Sequence, residues 1–422
     1  MIRGSWGPCS LQSGQRMAQI NEFFKKKYGK EYGKEKTEKS EPEDYKKKLA
    51  RHRKKIFLRV LIIVAVTAAV VVLLYLNFNN RVFTDYDTIN QLSISESNNA
   101  DYLNLNGNVL RFSKDGASAF NASDDMLWNQ TYEMQNPMID ICGDYAAIGD
   151  YKGTRIYVFN GNGLQGEIDT TLPVQTFCVS GIGSVATVLE ENEITWVRLF
   201  NKTGQLIAND RTTMAKSGYP VRIAISPDGV MLGVSYLRID TGAMSSSVAF
   251  YNFGAVGQNE IDNLVSGYDY PESVISEVAF MNEKAAFAVG DNGMEVFSGA
   301  QKPEQIAQIP IEDEITSVFY GKDHIGLVFT DTTSEMQYRL EVYDSSGERV
   351  RTCNFNLDYK DILLQKDQII VYNSDECIIF NMQGTEKFHS TFHHSIITMI
   401  PTANQNRYIL VSGTSMEEIQ LK

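Results

Sequence analysis

Cysteine is scarce in this chain, with five among 422 residues and no C-x-x-C pair. That excludes a disulfide-scaffolded miniprotein and argues against a zinc ribbon or a dithiol redox centre. Proline is scarce as well, at ten residues, and the 31 glycines follow no period, so no collagen-like segment is present. Catalytic signatures are missing: the sequence contains no Gly-x-Ser-x-Gly, no His-Glu-x-x-His and no phosphate loop. What remains is an ordinary folding composition, 43% hydrophobic and 22% charged, in a chain long enough to bury a large core.

The charge is divided. Net charge is −13, but residues 1–59 carry 17 Lys+Arg against 7 Asp+Glu, a net of +10. The remainder carries 39 − 17 = 22 basic and 52 − 7 = 45 acidic residues, a net of −23. Such asymmetry points to two environments for one chain.

The boundary is an uncharged run over residues 60–76: Val60, Leu61, Ile62, Ile63 and Val64 open it, and Val70, Val71, Val72, Leu73, Leu74 and Leu76 close it. With Ile56, Phe57 and Leu58, and with Arg59 snorkelling to the headgroups, it is long enough to cross a bilayer core of about 30 Å. A cleaved signal peptide is the main rival. Its basic region would run to 59 residues, and no small-x-small cleavage site comes after Leu76, so the run reads as an uncleaved signal anchor. Arg51, Arg53, Lys54, Lys55 and Arg59 lie just before the run and only Arg81 close after it. The positive-inside rule then places the N-terminus in the cytoplasm and the acidic part outside the plasma membrane. The expected organisation is a basic, mostly disordered tail over 1–55, a transmembrane helix over 56–78 and an extracytoplasmic domain over 79–422.

The tail is lysine-rich, with Tyr28-Gly29-Lys30-Glu31 repeated directly as Tyr32-Gly33-Lys34-Glu35. Besides setting topology, such a tail adheres to anionic lipid at about 1 kcal/mol per basic residue near the surface. It holds no folded recognition motif, so nucleic acid is not expected as a partner. Residues 1–16 differ in composition from the lysine-rich stretch, and Met17 reads as the more natural start.

Beyond the span, one pattern recurs: a β-rich run ending in an aromatic residue and then Asn, Asp or Ser. Its copies are Phe120-Asn121, Phe159-Asn160, Phe200-Asn201, Tyr251-Asn252, Phe297-Ser298, Tyr343-Asp344 and Phe380-Asn381, spaced by 39, 41, 51, 46, 46 and 37 residues. Gly163, Gly204, Gly254, Gly347 and Gly384 come after them in turns. Before two of the copies, Tyr145–Asp150 and Ala285–Asp291 each lead through a glycine into the next apolar run, as β-hairpins do. Four short strands every 40 to 45 residues predict an all-β fold, a β-propeller of four-stranded antiparallel blades. Seven copies end at Asn381. A further unit of three strands comes next and the chain stops, so residues 86–94 are expected to supply its fourth strand and close the ring. That makes eight blades, with seven as the alternative.

Phe120-Asn-Ala-Ser-Asp-Asp-Met-Leu-Trp128 resembles the blade pattern of quinoprotein-like propellers, and Ser226-Pro-Asp-Gly229 is similar to the turn of tryptophan-aspartate-repeat propellers. The layout of basic tail, single span and outer propeller resembles a family of uncharacterised bacterial membrane proteins. A quinoprotein enzyme requires cofactor and calcium ligands, and no residues here can be assigned to them.

Other chemistry reads as structural. His389 and His393 would share a face of a strand, but a metal site usually has three protein ligands and no further ligand lies close in sequence. Cys142, Cys178, Cys353 and Cys377 sit in apolar contexts on different blades and read as buried thiols, a Cys353–Cys377 bridge being the alternative. Glu190-Glu191, Asp124-Asp125 and Glu312-Asp313-Glu314 match no calcium loop and read as solvated surface. The functional expectation is a non-catalytic binding or scaffold module of the cell envelope. It is monomeric and needs no cofactor or metal. Lipids hold its span and tail, and a protein, peptide or glycan sits on the propeller. The alternative is a ligand or metal sensor, or a quinoprotein-like enzyme, using the central channel. That alternative requires polar groups to converge on the axis.

Overall fold

A computed structural model describes residues 42–79, 81–93, 100–121, 125–192, 194–212, 217–240, 242–331, 335–402, 404 and 406–422. The tandem repeat over 28–35, Met17, Cys9 and Asp124 lie outside the described residues. The chain divides into two compact units that meet at Phe78 and Asn79.

The first unit contributes a helix, α1 (Pro42–Asn79). It begins at Pro42, not at Ile56, so residues 42–55 of the expected disordered tail are helical. The physical reason is propensity. Lys, Arg, Leu and Ala favour helix, and extending a helix from an apolar nucleus is far easier than starting one. Within it Arg51–Leu73 is long and apolar enough to cross a membrane by length and composition. Thr67, the plainly polar residue of the run, donates its hydroxyl to the Val64 carbonyl at 2.9 Å and so leaves no unsatisfied hydroxyl.

The second unit is eight four-stranded antiparallel sheets. Blades 1 to 7 span 101–131, 137–169, 174–212, 219–270, 275–310, 315–355 and 361–391, and each uses consecutive strands. Blade 8 combines Ile396–Pro401, Arg407–Ser412 and Ser415–Leu421 with the strand Tyr86–Ser93 as its outermost member. The ring therefore closes through both ends of the domain, as the leftover three-strand unit predicts, and it has eight blades, not seven.

Register explains the recurring motif. Each copy ends the third strand of its blade. In all seven, the pairing with the fourth strand shifts by one residue at the aromatic. A bulge at this point bends the outer strand and increases its twist. The polar residue next in sequence then caps the turn. Asn201 Oδ1 accepts the backbone N–H groups of Thr203 and Gln205, at 3.0 Å each. Asp344 Oδ1 does the same for Ser346 and Glu348, and Asn381 Oδ1 for Gln383 and Thr385. Short side chains that mimic a backbone turn are what Asn and Asp supply here. At Gly204 φ is +87°, and a side chain there would run into the Glu167 carbonyl of the preceding blade, so glycine is required.

Between blades the core is a series of apolar interfaces. Phe159, Ile148 and Phe112 pack blade 1 on blade 2, while Tyr86, Phe388 and Tyr408 pack blade 7 on blade 8. Trp128, the Leu-Trp feature of the sequence, stacks on Phe159 at 4.9 Å with the rings 3° from parallel. Its role is packing between neighbours.

Candidate functional site

Eight inner strands line the propeller axis, and register shows what they present to it. The position three residues before the inner-strand partner of each motif row holds Thr176, Arg222, Glu277, Ser317, Asp361 and Thr398 in blades 3 to 8. All six are polar. Several join around the ring: Arg222 Nε lies 3.0 Å from Glu277 Oε1, and the Tyr372 hydroxyl donates to Asp361 Oδ2 at 3.3 Å and meets Thr398 Oγ1 at 3.2 Å.

Beside this belt lies a cavity of about 310 Å³, lined by Asp140, Cys142, Phe177, Cys178, Arg222 and Tyr320 among others. Tyr320 is 46% exposed within it, so the channel admits water. Asp140 Oδ2 accepts the Val179 N–H at 2.6 Å and ties blade 2 to blade 3. Burial raises the Asp140 carboxyl above the ordinary range, against the opposing pull of the Val179 and Ile141 amides and of Arg222. Burial likewise raises Glu277 despite its guanidinium partner. Arg222 stays firmly charged: burial disfavours the cation, but Glu277, Tyr320 and Asp140 outweigh it. The Cys142 thiol is pushed up to about 11 by burial and by Asp140, and Cys178 rises further for the same reasons. Both are held as thiols, which are poor nucleophiles.

A second feature stands on the edge of the ring formed by the turns between second and third strands. In blade 4 those strands, Met231–Asp240 and Ala243–Asn252, are ten residues each. Their counterparts elsewhere have five to seven. Near the tip the paired residues Ile239 and Met244 are 56% and 55% exposed.

The residues singled out in sequence are dispersed. His389 is on the outer strand of blade 7, with Nε2 against Glu376 Oε1. His393 lies past that strand, its ring against Tyr86 at 4.9 Å, so the two histidines do not share a strand face. His394 Nε2 reaches Glu417 Oε1 at 2.7 Å. Three histidines thus serve three partners, and among the described residues no three His, Cys, Asp or Glu side chains form a metal-binding group. Cys142, Cys178, Cys353 and Cys377 are all free, so no Cys353–Cys377 bridge is present. Asp313 pairs with Arg339, and Glu190-Glu191 ends a strand of blade 3. Sequence reasoning missed the channel belt and the long hairpin. Ile239 and Met244 near a Gly-Ala turn inside the one 51-residue repeat spacing were the available signal for the hairpin.

Eight antiparallel four-stranded blades, closed by the first strand of the domain, define an eight-bladed β-propeller. The chain belongs to the family of unknown function DUF5711, whose model matches residues 79–421. Among solved structures it is similar to Sqt1 from Chaetomium thermophilum, with a TM-score of 0.50 and 12% identity over 80% of this chain and 99% of that one. It also resembles BamB from Moraxella catarrhalis, with a TM-score of 0.45 and 13% identity over 80% of this chain and all of that one. Likeness at this identity concerns the fold alone. No curated protein matches the chain in sequence.

Proposed function

We propose that this protein is a single-pass, membrane-anchored binding module, non-catalytic and without a cofactor, whose propeller holds a protein partner outside the plasma membrane. α1 is the anchor, spanning with the apolar residues 60–76, and Arg51, Arg53, Lys54, Lys55 and Arg59 keep its N-terminus in the cytoplasm. The observation that carries the binding role is the blade 4 hairpin. Two exposed apolar side chains, Ile239 and Met244, are paired near the tip of the longest hairpin in the ring. A rigid closed ring presenting an apolar tip on a projecting ribbon suits a groove or sheet edge on another protein.

The test is a photo-crosslinking residue at position 244 of the full chain in its own membrane. A single protein adduct supports the reading. Crosslinks from 244 no different from those at exposed Tyr151 would overturn it.

The channel favours a second reading. Arg222, Asp140 and Tyr320 converge on a wet cavity of about 310 Å³, enough for a small polar ligand. A ligand-dependent rise in melting temperature that Arg222→Met abolishes would support that reading over the first.

A further inference from the structure

Three blades bury a carboxylate at one shared place on the third strand, two residues before the position where the pairing shifts. Glu295 stands there in blade 5, Glu341 in blade 6 and Glu417 in blade 8, ahead of Phe297, Tyr343 and Ile419. They are 5%, 8% and 3% exposed. Burying a carboxylate is costly unless a cation and hydrogen bonds compensate it. In blade 6 the cation comes from the chain itself. Arg349, opposite Tyr343 on the outer strand, places Nη1 2.9 Å from Glu341 Oε1, and Arg339 Nε lies 3.2 Å from the same oxygen. In blade 8 His394 Nε2 lies 2.7 Å from Glu417 Oε1.

Blade 5 has the carboxylate without the cation. The residue equivalent to Arg349 is Gln305, opposite Phe297, and its Nε2 donates to Glu295 Oε2 at 2.6 Å. Glu295 opens on a cavity of about 350 Å³ between blades 4 and 5, lined also by Tyr270, Glu272, Asn292 and Gln308. No Lys, Arg or His is among the described residues that line it. The Tyr270 hydroxyl is buried and has no hydrogen-bond partner. Arg238, the basic residue at the base of the blade 4 hairpin, is taken by Asp269 at 2.8 Å.

We infer that this cleft takes the guanidinium of an arginine side chain belonging to the protein held by the blade 4 hairpin. The Glu341–Arg349 pair of the next blade is the internal template for that contact. Glu295 supplies the charge, and the Tyr270 oxygen supplies a further acceptor for the N–H groups of a guanidinium fork. Position agrees as well. Tyr270 pairs in register with Ser246, which lies two residues, about 7 Å, along the same strand face from Met244. A partner seated on the hairpin tip therefore lies beside the cleft. The inference rests on the reading of that hairpin as the protein-binding element.

The experiment titrates the detergent-solubilised full chain with Nα-acetylarginine amide by calorimetry at pH 8, above the value of about 7 to which burial raises Glu295. The citrulline analogue, equal in shape and uncharged, is the control. Saturable binding of the arginine compound, at least tenfold tighter than the citrulline compound, is the expected result. Glu295→Gln is expected to lose at least tenfold in affinity. Gln305→Arg keeps the carboxylate, brings in a cation as blade 6 does, and is expected to lose as much. No saturable binding by the parent protein, or equal affinity in Glu295→Gln, would overturn the site. The source of the guanidinium is read from the crosslink at position 244, whose protein adduct is expected to fall several-fold in Gln305→Arg. An adduct unchanged by Gln305→Arg would overturn the partner as that source. No adduct in the parent protein would overturn the hairpin reading, while the titration would still decide whether the cleft binds a guanidinium.

Discussion

Asp85 and Lys422 stand where every other blade has a covalent turn. The Lys422 amide donates to the Asp85 carbonyl at 2.9 Å, and Lys422 Nζ lies 3.5 Å from the Asp85 carboxylate. The Thr84 amide returns a bond to the Lys422 carbonyl at 3.1 Å. From this junction the strand Tyr86–Ser93 pairs along Ser415–Leu421 and completes the ring. Closure buries the two blade faces that an open array of blades would leave exposed. The stability of the whole propeller therefore depends on a strand that comes only a few residues after α1.

Tyr86 is the anchor of that strand. It is 3% exposed, packs with Phe388, Tyr408 and Leu421, and accepts the His393 amide at 2.9 Å. Tyr86→Ala is expected to cost about 3–5 kcal/mol, the range for deleting a buried aromatic. Thermal unfolding of the detergent-solubilised protein checks this, with Ile89→Ala as a near-neutral control on the same strand.

The motif asparagines are expected to matter as turn caps. Asn381 is buried and holds two amides, so Asn381→Ala is expected to cost about 1–3 kcal/mol for two lost hydrogen bonds. Asn381→Asp keeps the acceptor and is expected to recover most of that loss in the same unfolding measurement.

Glu295 sets a pH dependence. It is buried on the third strand of blade 5, and burial raises its carboxyl to about 7, with hydrogen bonding from Gln308 working the other way. Gln305 Nε2 donates to it at 2.6 Å. A carboxyl raised in the folded state binds more protons folded than unfolded. Its contribution is therefore full below the unfolded value near 4.5 and is lost as pH rises to about 7. Glu295→Gln is expected to match the parent protein at pH 5 and to be the more stable of the two at pH 8. Melting temperatures from pH 4.5 to 8 measure it; parallel curves for the two proteins would contradict it.

The anchor reading predicts two separable failures. Val70→Arg places a charge mid-run at a cost of about 2.5–3.5 kcal/mol to insertion, so the protein is expected to become partly extractable by alkaline carbonate. Replacing Arg51, Arg53, Lys54, Lys55 and Arg59 by Ser is expected to leave insertion intact and mix the orientation, read by protease protection of the propeller.

The parts of the fold that were legible in sequence share one property: they rest on local chemistry. Aromatic-Asn pairs such as Phe200-Asn201 recur because bulge and turn cap are both built within a few residues. The closing strand was legible because the final unit held three strands, not four. The channel belt was not legible, because Thr176, Arg222, Glu277 and Asp361 share only a register position, which pairing across three strands defines. Residues 42–55 read as disordered tail from their charge, although Lys and Arg are good helix formers next to an apolar nucleus.

The proposed role of the ring is to bind a protein through its projecting hairpin. Native mass spectrometry of the gently solubilised full-length protein, alongside the Ile239→Asp/Met244→Asp variant, tests it most directly. A stoichiometric protein complex is expected for the parent chain, with an uncomplexed, equally folded variant. A small-molecule adduct without a protein partner, retained by the hairpin variant and lost with Arg222→Met, would contradict it and move the function to the channel.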